Sequence, residues 1–280
     1  MASKKSRREF VKKSVLGMVM GSALATAPSM AKPNSKKEDP FDLGFAGYTF
    51  RHFDLKESLE MISKLEVTYL CIKDFHLPLE SSEAEIKAFH EQLAASNVKG
   101  YAVGPIYMKT RKEIDEGFEY AKRVGVDMIV GIPMHEDLKY LEGKVKEYDM
   151  KYAIHNHGPE DKLYPNAKVA VDLIKDLDAR IGLCFDMGHN MRDGRDPVKD
   201  LETYIDRIHD IHLKNVTEAK DEGKTCELGR GVIDIPAFVD MLRKVNYDGK
   251  CSLEYEKDMK TPLQGISESV GYFRGVQDAR

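Results

Sequence analysis

Seven of the nine histidines in this 280-residue chain, His52, His76, His135, His155, His157, His189 and His212, stand at or just after the ends of short apolar runs. His155 and His212 share that placement with two carboxylates, Asp186 and Glu254. Two imidazoles and two carboxylates brought to one point suit a divalent transition ion (Mn²⁺, Zn²⁺, Fe²⁺ or Co²⁺) better than Ca²⁺, which prefers oxygen alone. An ion held in this way polarises a carbonyl oxygen and acidifies the C–H beside it. Any one of these residues alone is commonplace, so the reading depends on elements that make the four converge.

Such elements are legible. Apolar runs at 44–50, 67–72, 98–103, 126–132, 150–154, 181–185, 208–213 and 250–255 alternate with amphipathic stretches. Leu55, Leu59 and Ile62, or Phe238, Leu242 and Val245, recur at helical spacing. Strand then helix, repeated without hairpin signals, means parallel strands with crossover helices. Eight units in about 240 residues is the repeat count and size of a (βα)8 TIM barrel, an α/β fold, forming one domain over residues 41–280. Along the runs, Ala153, Gly182, Cys184 and Ser252 alternate with Tyr152, Ile154, Leu183, Phe185, Leu253 and Tyr255. Small residues then face the barrel interior and large ones the helices. His155, Asp186 and Glu254 each lie two positions beyond a small inward residue, and His212 shares a face with Asp210, which places all four at the C-terminal rim where barrel chemistry is found.

The segments Cys184-Phe185-Asp186-Met187-Gly188-His189, Ile211-His212-Leu213-Lys214, Gly229-Arg230-Gly231-Val232-Ile233-Asp234 and Ser252-Leu253-Glu254-Tyr255-Glu256 resemble the xylose isomerase-like barrel superfamily over residues 41–280. The likeness is to its sugar phosphate isomerase/epimerase branch, which also holds inosose dehydratase, ketose 3-epimerases and the endonuclease IV type of repair enzyme. It implies metal ligands from the ends of the last four strands, with Asp186, His212 and Glu254 in three of the places. His155 stands where many relatives have a Glu that also moves a proton, and Asn215 where relatives often have Asp.

On that basis the expected function is a divalent-metal-dependent isomerase or epimerase of a sugar or sugar derivative, acting by proton abstraction next to a carbonyl and a metal-held enediolate. Glu254 is expected as ligand and acid/base, with His157, His189 and Glu256 as further catalytic candidates. Lys214, Arg230, Lys73, Arg51 and His76 are expected to bind substrate oxygens. Loss of a β-hydroxyl or β-alkoxy group from the same enediolate makes a keto-sugar or inosose dehydratase or lyase the alternative, favoured by the missing Glu at position 155. A non-catalytic metal-bearing sugar-binding protein is the reading of another class.

Residues 1–31 carry an address rather than a fold. A basic start with Arg7-Arg8 and Phe10, an uncharged run at 14–28 and a small-x-small end resemble a twin-arginine export signal, and the run is too short to span a bilayer. Removal near Lys32, a flexible tether over 32–40, a periplasmic location and no stable membrane anchor are expected. Residues 1–31 hold six Lys or Arg and one Glu, so the rest of a chain of net charge −4 carries about −9. This excess of negative charge argues against a nucleic-acid partner; a small carbohydrate substrate is what the resemblance implies. The four cysteines, without CxxC spacing, read as buried free thiols.

Overall fold

The computed structural model describes residues 39–279, so the export signal and most of the tether lie outside the described residues. Eight parallel strands close into a barrel: β1 (Asp42–Ala46), β2 (Tyr69–Ile72), β3 (Lys99–Met108), β4 (Met128–Pro133), β5 (Lys151–His155), β6 (Ile181–Asp186), β7 (Ile208–Leu213) and β10 (Lys250–Leu253). The short pair β8 (Asn215–Val216) and β9 (Thr225–Cys226) is antiparallel and stands apart. Each barrel strand pairs with its neighbours in sequence, and β10 closes on β1 with Gly44 beside Ser252.

Inward and outward faces follow the small/large alternation. Cys71, Ala102, Met128, Val130, Ala153 and Cys184 form one buried cluster inside the barrel, while Tyr152, Ile154, Leu183, Phe185 and Leu253 belong to the larger core beneath the helices. Helix α3 (Arg111–Val124) shows how that core is built: Ile114, Phe118 and Ala121 form its buried stripe. It ends at Gly125, whose φ of 79° is the left-handed conformation a helix C-terminus favours in glycine. Capping boxes start α1 (Leu55–Lys64) at Asp54 with Glu57 and α2 (Glu83–Ala95) at Ser82 with Glu85. All four cysteines are free and buried.

Most strands differ from their expected limits by one or two residues at an end, and two differ by more. The first strand ends at Ala46, and Gly47–Phe50 turns as a 3-10 helix, because Gly47 packs against the β2 backbone: a Cβ there would lie 2.7 Å from the Cys71 carbonyl oxygen. The third continues past Val103, through a register shift at Gly104-Pro105, to Met108. That extension carries Tyr107 to the rim. Asp39, near the end of the expected tether, is fastened by Arg243, whose Nε lies 2.6 Å from Asp39 Oδ1.

Candidate metal centre

The four rim residues converge. His155 Nε2 lies 3.0 Å from His212 Nδ1, 3.7 Å from Asp186 Oδ2 and 3.7 Å from Glu254 Oε2, and His212 Nδ1 lies 3.3 Å from Glu254 Oε2. All four side chains are buried, and the four donor atoms fall within 4.8 Å of one another. Metal bonds of about 2.0–2.2 Å in a tetrahedron give donor separations of roughly 3.3–3.6 Å, so this set is close to what a zinc-sized ion needs. Asp186 Oδ2, one of the four donor atoms, is buried without a hydrogen-bond partner, as an atom kept for an ion would be; the outer nitrogens His155 Nδ1 and His212 Nε2 are also buried without one, so no outer partner fixes either tautomer.

Local structure explains the precision. Asp186 ends β6 and caps the short helix α6 (Met187–Arg192): its Oδ1 accepts from the His189 backbone N–H at 2.7 Å, which leaves Oδ2 for the cluster. Asn156 ties β5 to β6, donating from Nδ2 to the Asp186 carbonyl and accepting from the Asp186 N–H, both at 3.0 Å. Glu254 is bracketed by Thr49, whose hydroxyl donates to the Leu253 carbonyl at 3.1 Å and accepts from the Tyr255 N–H at 3.0 Å. Below the cluster, Asp210 accepts from Tyr101 Oη at 2.9 Å, and burial raises its carboxyl to about 6. The Cys184 thiol is pushed well up by burial and the Asp210 charge, so it remains protonated beside the two histidines.

Electrostatics separate the members. Burial, the largest single effect, would raise the Glu254 and Asp186 carboxyls, but the Lys214 ammonium together with the neighbouring histidines outweighs it and holds both far below the usual range. Lys214 Nζ lies 2.8 Å from Glu254 Oε2 and 3.1 Å from His189 Nε2, and also bonds Glu256. Its distance to Asp186 Oδ2 is 2.9 Å, an ion pair without hydrogen-bond alignment. Burial lowers His155 to about 4, and burial with the nearby Lys214 charge holds His189 well below its ordinary value. His212 is raised: burial, the largest single effect, lowers it, but the Glu254 carboxylate together with Asp210 and Asp186 outweighs burial.

Above the cluster opens a cavity of about 500 Å³, lined by Lys73, Tyr107, His157, His189, Glu254 and Glu256 among others. Of the four-residue set, Glu254 is the member that lines it. His157 Nδ1 lies 3.1 Å from Tyr107 Oη and 3.5 Å from Asp161 Oδ2, and the rings of Tyr107 and His157 stack. Asp161 is lowered to about 2, first by its bond to His157 against the effect of burial, then by the Tyr164 and Leu163 backbone N–H groups. It is therefore ionised and pins Nδ1–H, leaving Nε2 of His157 to exchange a proton.

The cavity thus brings together His157, His189, Glu254, Glu256 and Lys73. Lys214 lies under its floor against carboxylates. Arg230 pairs with Glu268 and its side chain is 64% exposed, Arg51 lies exposed over the Tyr48 ring, and His76 is bonded through Nε2 to the Phe53 carbonyl and Ser58. None of these three is among the lining residues. Asn215 spends its amide on the backbone of the 228–233 turn, bonding the Leu228 and Ile233 carbonyls and the Ile233 N–H. A Cβ on Gly231 would lie 2.1 Å from Asn215 Oδ1, so the glycine belongs to that contact. Asn156, Thr49 and Asp161 are the residues sequence reasoning missed; the position of Asn156 between His155 and His157 is the one signal that pointed there.

Comparison with known proteins agrees with the fold. A family model described as xylose isomerase-like TIM barrel matches residues 70–276. An inosose dehydratase of Mesomycoplasma hyopneumoniae is 22% identical over 236 residues, 69% of this chain and 78% of the relative, and one of Clostridium perfringens is 29% identical over 158 residues, 50% and 52%. Among solved structures, an uncharacterised protein of Parabacteroides distasonis is 28% identical with a TM-score of 0.67, covering 84% of this chain and 99% of that one. An IolI protein with a bound zinc atom is 18% identical at TM-score 0.68, over 85% and 96%. The 3-keto-D-glucoside 4-epimerase YcjR of E. coli is 15% identical at 0.67, over 84% and 99%. With a closed eight-stranded parallel barrel and a family match over most of its length, this chain belongs to the xylose isomerase-like TIM barrel family.

Proposed function

We propose that this protein is a divalent-metal-dependent lyase that dehydrates a keto-sugar or inosose. The observation that carries it is the buried N₂O₂ cluster reaching the cavity through Glu254, with His157, His189 and Glu256 beside it. A divalent ion in the cluster supplies Lewis acidity, which acidifies a C–H next to a carbonyl. Glu256, partly exposed three residues past the end of β10, takes that proton. The C–H electron pair forms the new C=C bond as the β C–O bond breaks, and His157, oriented by Asp161, protonates the departing hydroxyl so that it leaves as water. His189, held neutral, orients substrate rather than donating a proton. Lys73 binds a substrate oxygen from the far wall.

Elimination is favoured over epimerisation by His155. Where two carboxylates work on opposite faces of one carbon, a proton is removed and returned symmetrically; here the strand-five position holds an imidazole whose inward nitrogen belongs to the ligand set. The inosose dehydratase names of the curated relatives support the same reading. Isomerisation or epimerisation is the second reading, supported by the fold shared with the 4-epimerase. Incubating Zn²⁺- or Mn²⁺-loaded protein with a panel of inososes and keto-sugars in D₂O separates them. Loss of water is expected; deuterium uptake into a product that has lost no water otherwise favours epimerisation, and no exchange with any member sinks both. We also propose export by the twin-arginine route.

A further inference from the structure

Lys214 enters the charge cluster from just past the C-terminal end of β7, two residues beyond His212. Its stem passes Gly188, where a Cβ would lie 2.5 Å from Lys214 Cγ, and the side chain is 1% exposed. The ammonium ends 2.8 Å from Glu254 Oε2 and 2.9 Å from Asp186 Oδ2, the same two oxygens that complete the ligand set with His155 Nε2 and His212 Nδ1. Its three protons are taken by Glu254, Glu256 and His189, so none is left for substrate. Lys214 and the three carboxylates around it, Asp186, Glu254 and Glu256, together carry two net negative charges, which a divalent ion cancels.

We infer that Lys214 is the resident counter-ion of the metal centre: it holds the Asp186 and Glu254 oxygens at ligand separation before an ion arrives and sets the cluster's charge to match a divalent one. Two buried carboxylates this close repel, and without a cation one of them takes up a proton or moves away. The same ammonium repels the incoming ion, so a metal-free protein that is folded and ready to load comes at the expense of metal affinity. This inference rests on the metal reading above.

The test reads metal affinity and melting, using the mature chain and Zn²⁺ in competition with a chromogenic chelator. Lys214→Met and Glu256→Gln change the cluster's charge in opposite senses. Lys214→Met is expected to bind Zn²⁺ at least about tenfold more tightly and to melt lower chiefly in the chelated state, while Glu256→Gln binds it several-fold more weakly. A Lys214→Met protein recovered only with Zn²⁺ present is the extreme form of the expected result. Shifts of the same sign in both variants, or none in either, overturn the inference and leave Lys214 a packing residue. If Lys214→Met folds in neither state, tighter binding by Glu256→Gln overturns it and weaker binding supports it. A wild-type protein that takes up no Zn²⁺, Mn²⁺, Fe²⁺ or Co²⁺ sinks the metal reading itself, and this inference with it.

Discussion

The rings of His155 and His157 meet edge to face, their centroids 4.7 Å apart at 89°, yet their nitrogens face different partners. His155 Nε2 points into the ligand set, whereas His157 is bonded to Tyr107 and Asp161 at the cavity wall. A neutral imidazole that coordinates through one nitrogen carries its proton on the other and has no lone pair left for substrate. His155→Ala is therefore expected to lower metal content and activity together, with activity partly restored at high metal. His157→Ala should lose roughly 10²–10⁴-fold in kcat with metal content unchanged. Metal analysis beside steady-state kinetics checks both; a His155→Ala protein that binds metal normally but is inactive makes His155 a catalytic group.

Asp161 acts on His157 rather than on substrate. Asp161→Asn keeps the size of the side chain but removes the charge that pins Nδ1–H. It should lower kcat by about ten- to a hundredfold, leave KM within about twofold, and move the basic limb of the pH–rate profile, where the general acid loses its proton, to lower pH. An unshifted profile with unchanged kcat takes His157 out of proton transfer.

Metal should also stabilise the fold. An ion that binds the native state alone, held at a hundredfold above its Kd, adds about 2.7 kcal/mol, or roughly 5–10 °C in a domain of this size. Chelation is expected to lower the Tm of wild type by that amount, and Asp186→Asn or Glu254→Gln should remove most of the difference. Equal melting with and without chelator, in protein shown to start metal-loaded, counts against the centre.

How much of this was legible in the sequence depends on how far each contact lies along the chain. The barrel and its inward face follow from a period-two alternation confined to single strands, as Ala153 and Cys184 against Tyr152 and Phe185 show. The convergence of His155, Asp186, His212 and Glu254 needed that face together with strand order, both available. The clamps were not: Thr49 bonds residues 204 and 206 positions away, and nothing in its local pattern says so. Arg230 sits between glycines in a rim segment, so its residue type suggested a ligand, but Glu268 on α9 (Leu263–Ala279) takes the guanidinium. Lys214, also expected to bind a substrate oxygen, is likewise taken by carboxylates, Glu254 among them.

The export reading concerns residues beyond those described structurally. Changing Arg7 and Arg8 together to Lys is expected to leave the full-length precursor folded in the cytoplasm, detected by fractionation and immunoblotting. Export at the wild-type rate removes the twin-arginine assignment, and N-terminal sequencing of the mature protein checks the start near Lys32.

His209 supplies a pH prediction far from the metal centre. It begins on the second residue of β7, where Nε2 bonds the Ala179 carbonyl at 3.0 Å and the ring packs against Gly182. Burial, then the charge of Lys151, lower it from 6.5 to about 4. The unfolded chain thus binds a proton in a range where the folded protein does not, so this contribution is fully present above pH 6.5 and is lost as pH falls towards 4. Its full value is of the order of 2 kcal/mol after allowance for partial exposure. His155 and His189, also lowered, add to the same slope. His209→Gln, whose amide can still donate to Ala179, should therefore destabilise the protein somewhat at pH 7 yet flatten its stability between pH 6.5 and 4 by nearly one proton. Denaturant midpoints measured at half-unit intervals give the slope for each protein; parallel slopes for wild type and variant mean that His209 is protonated in the native state.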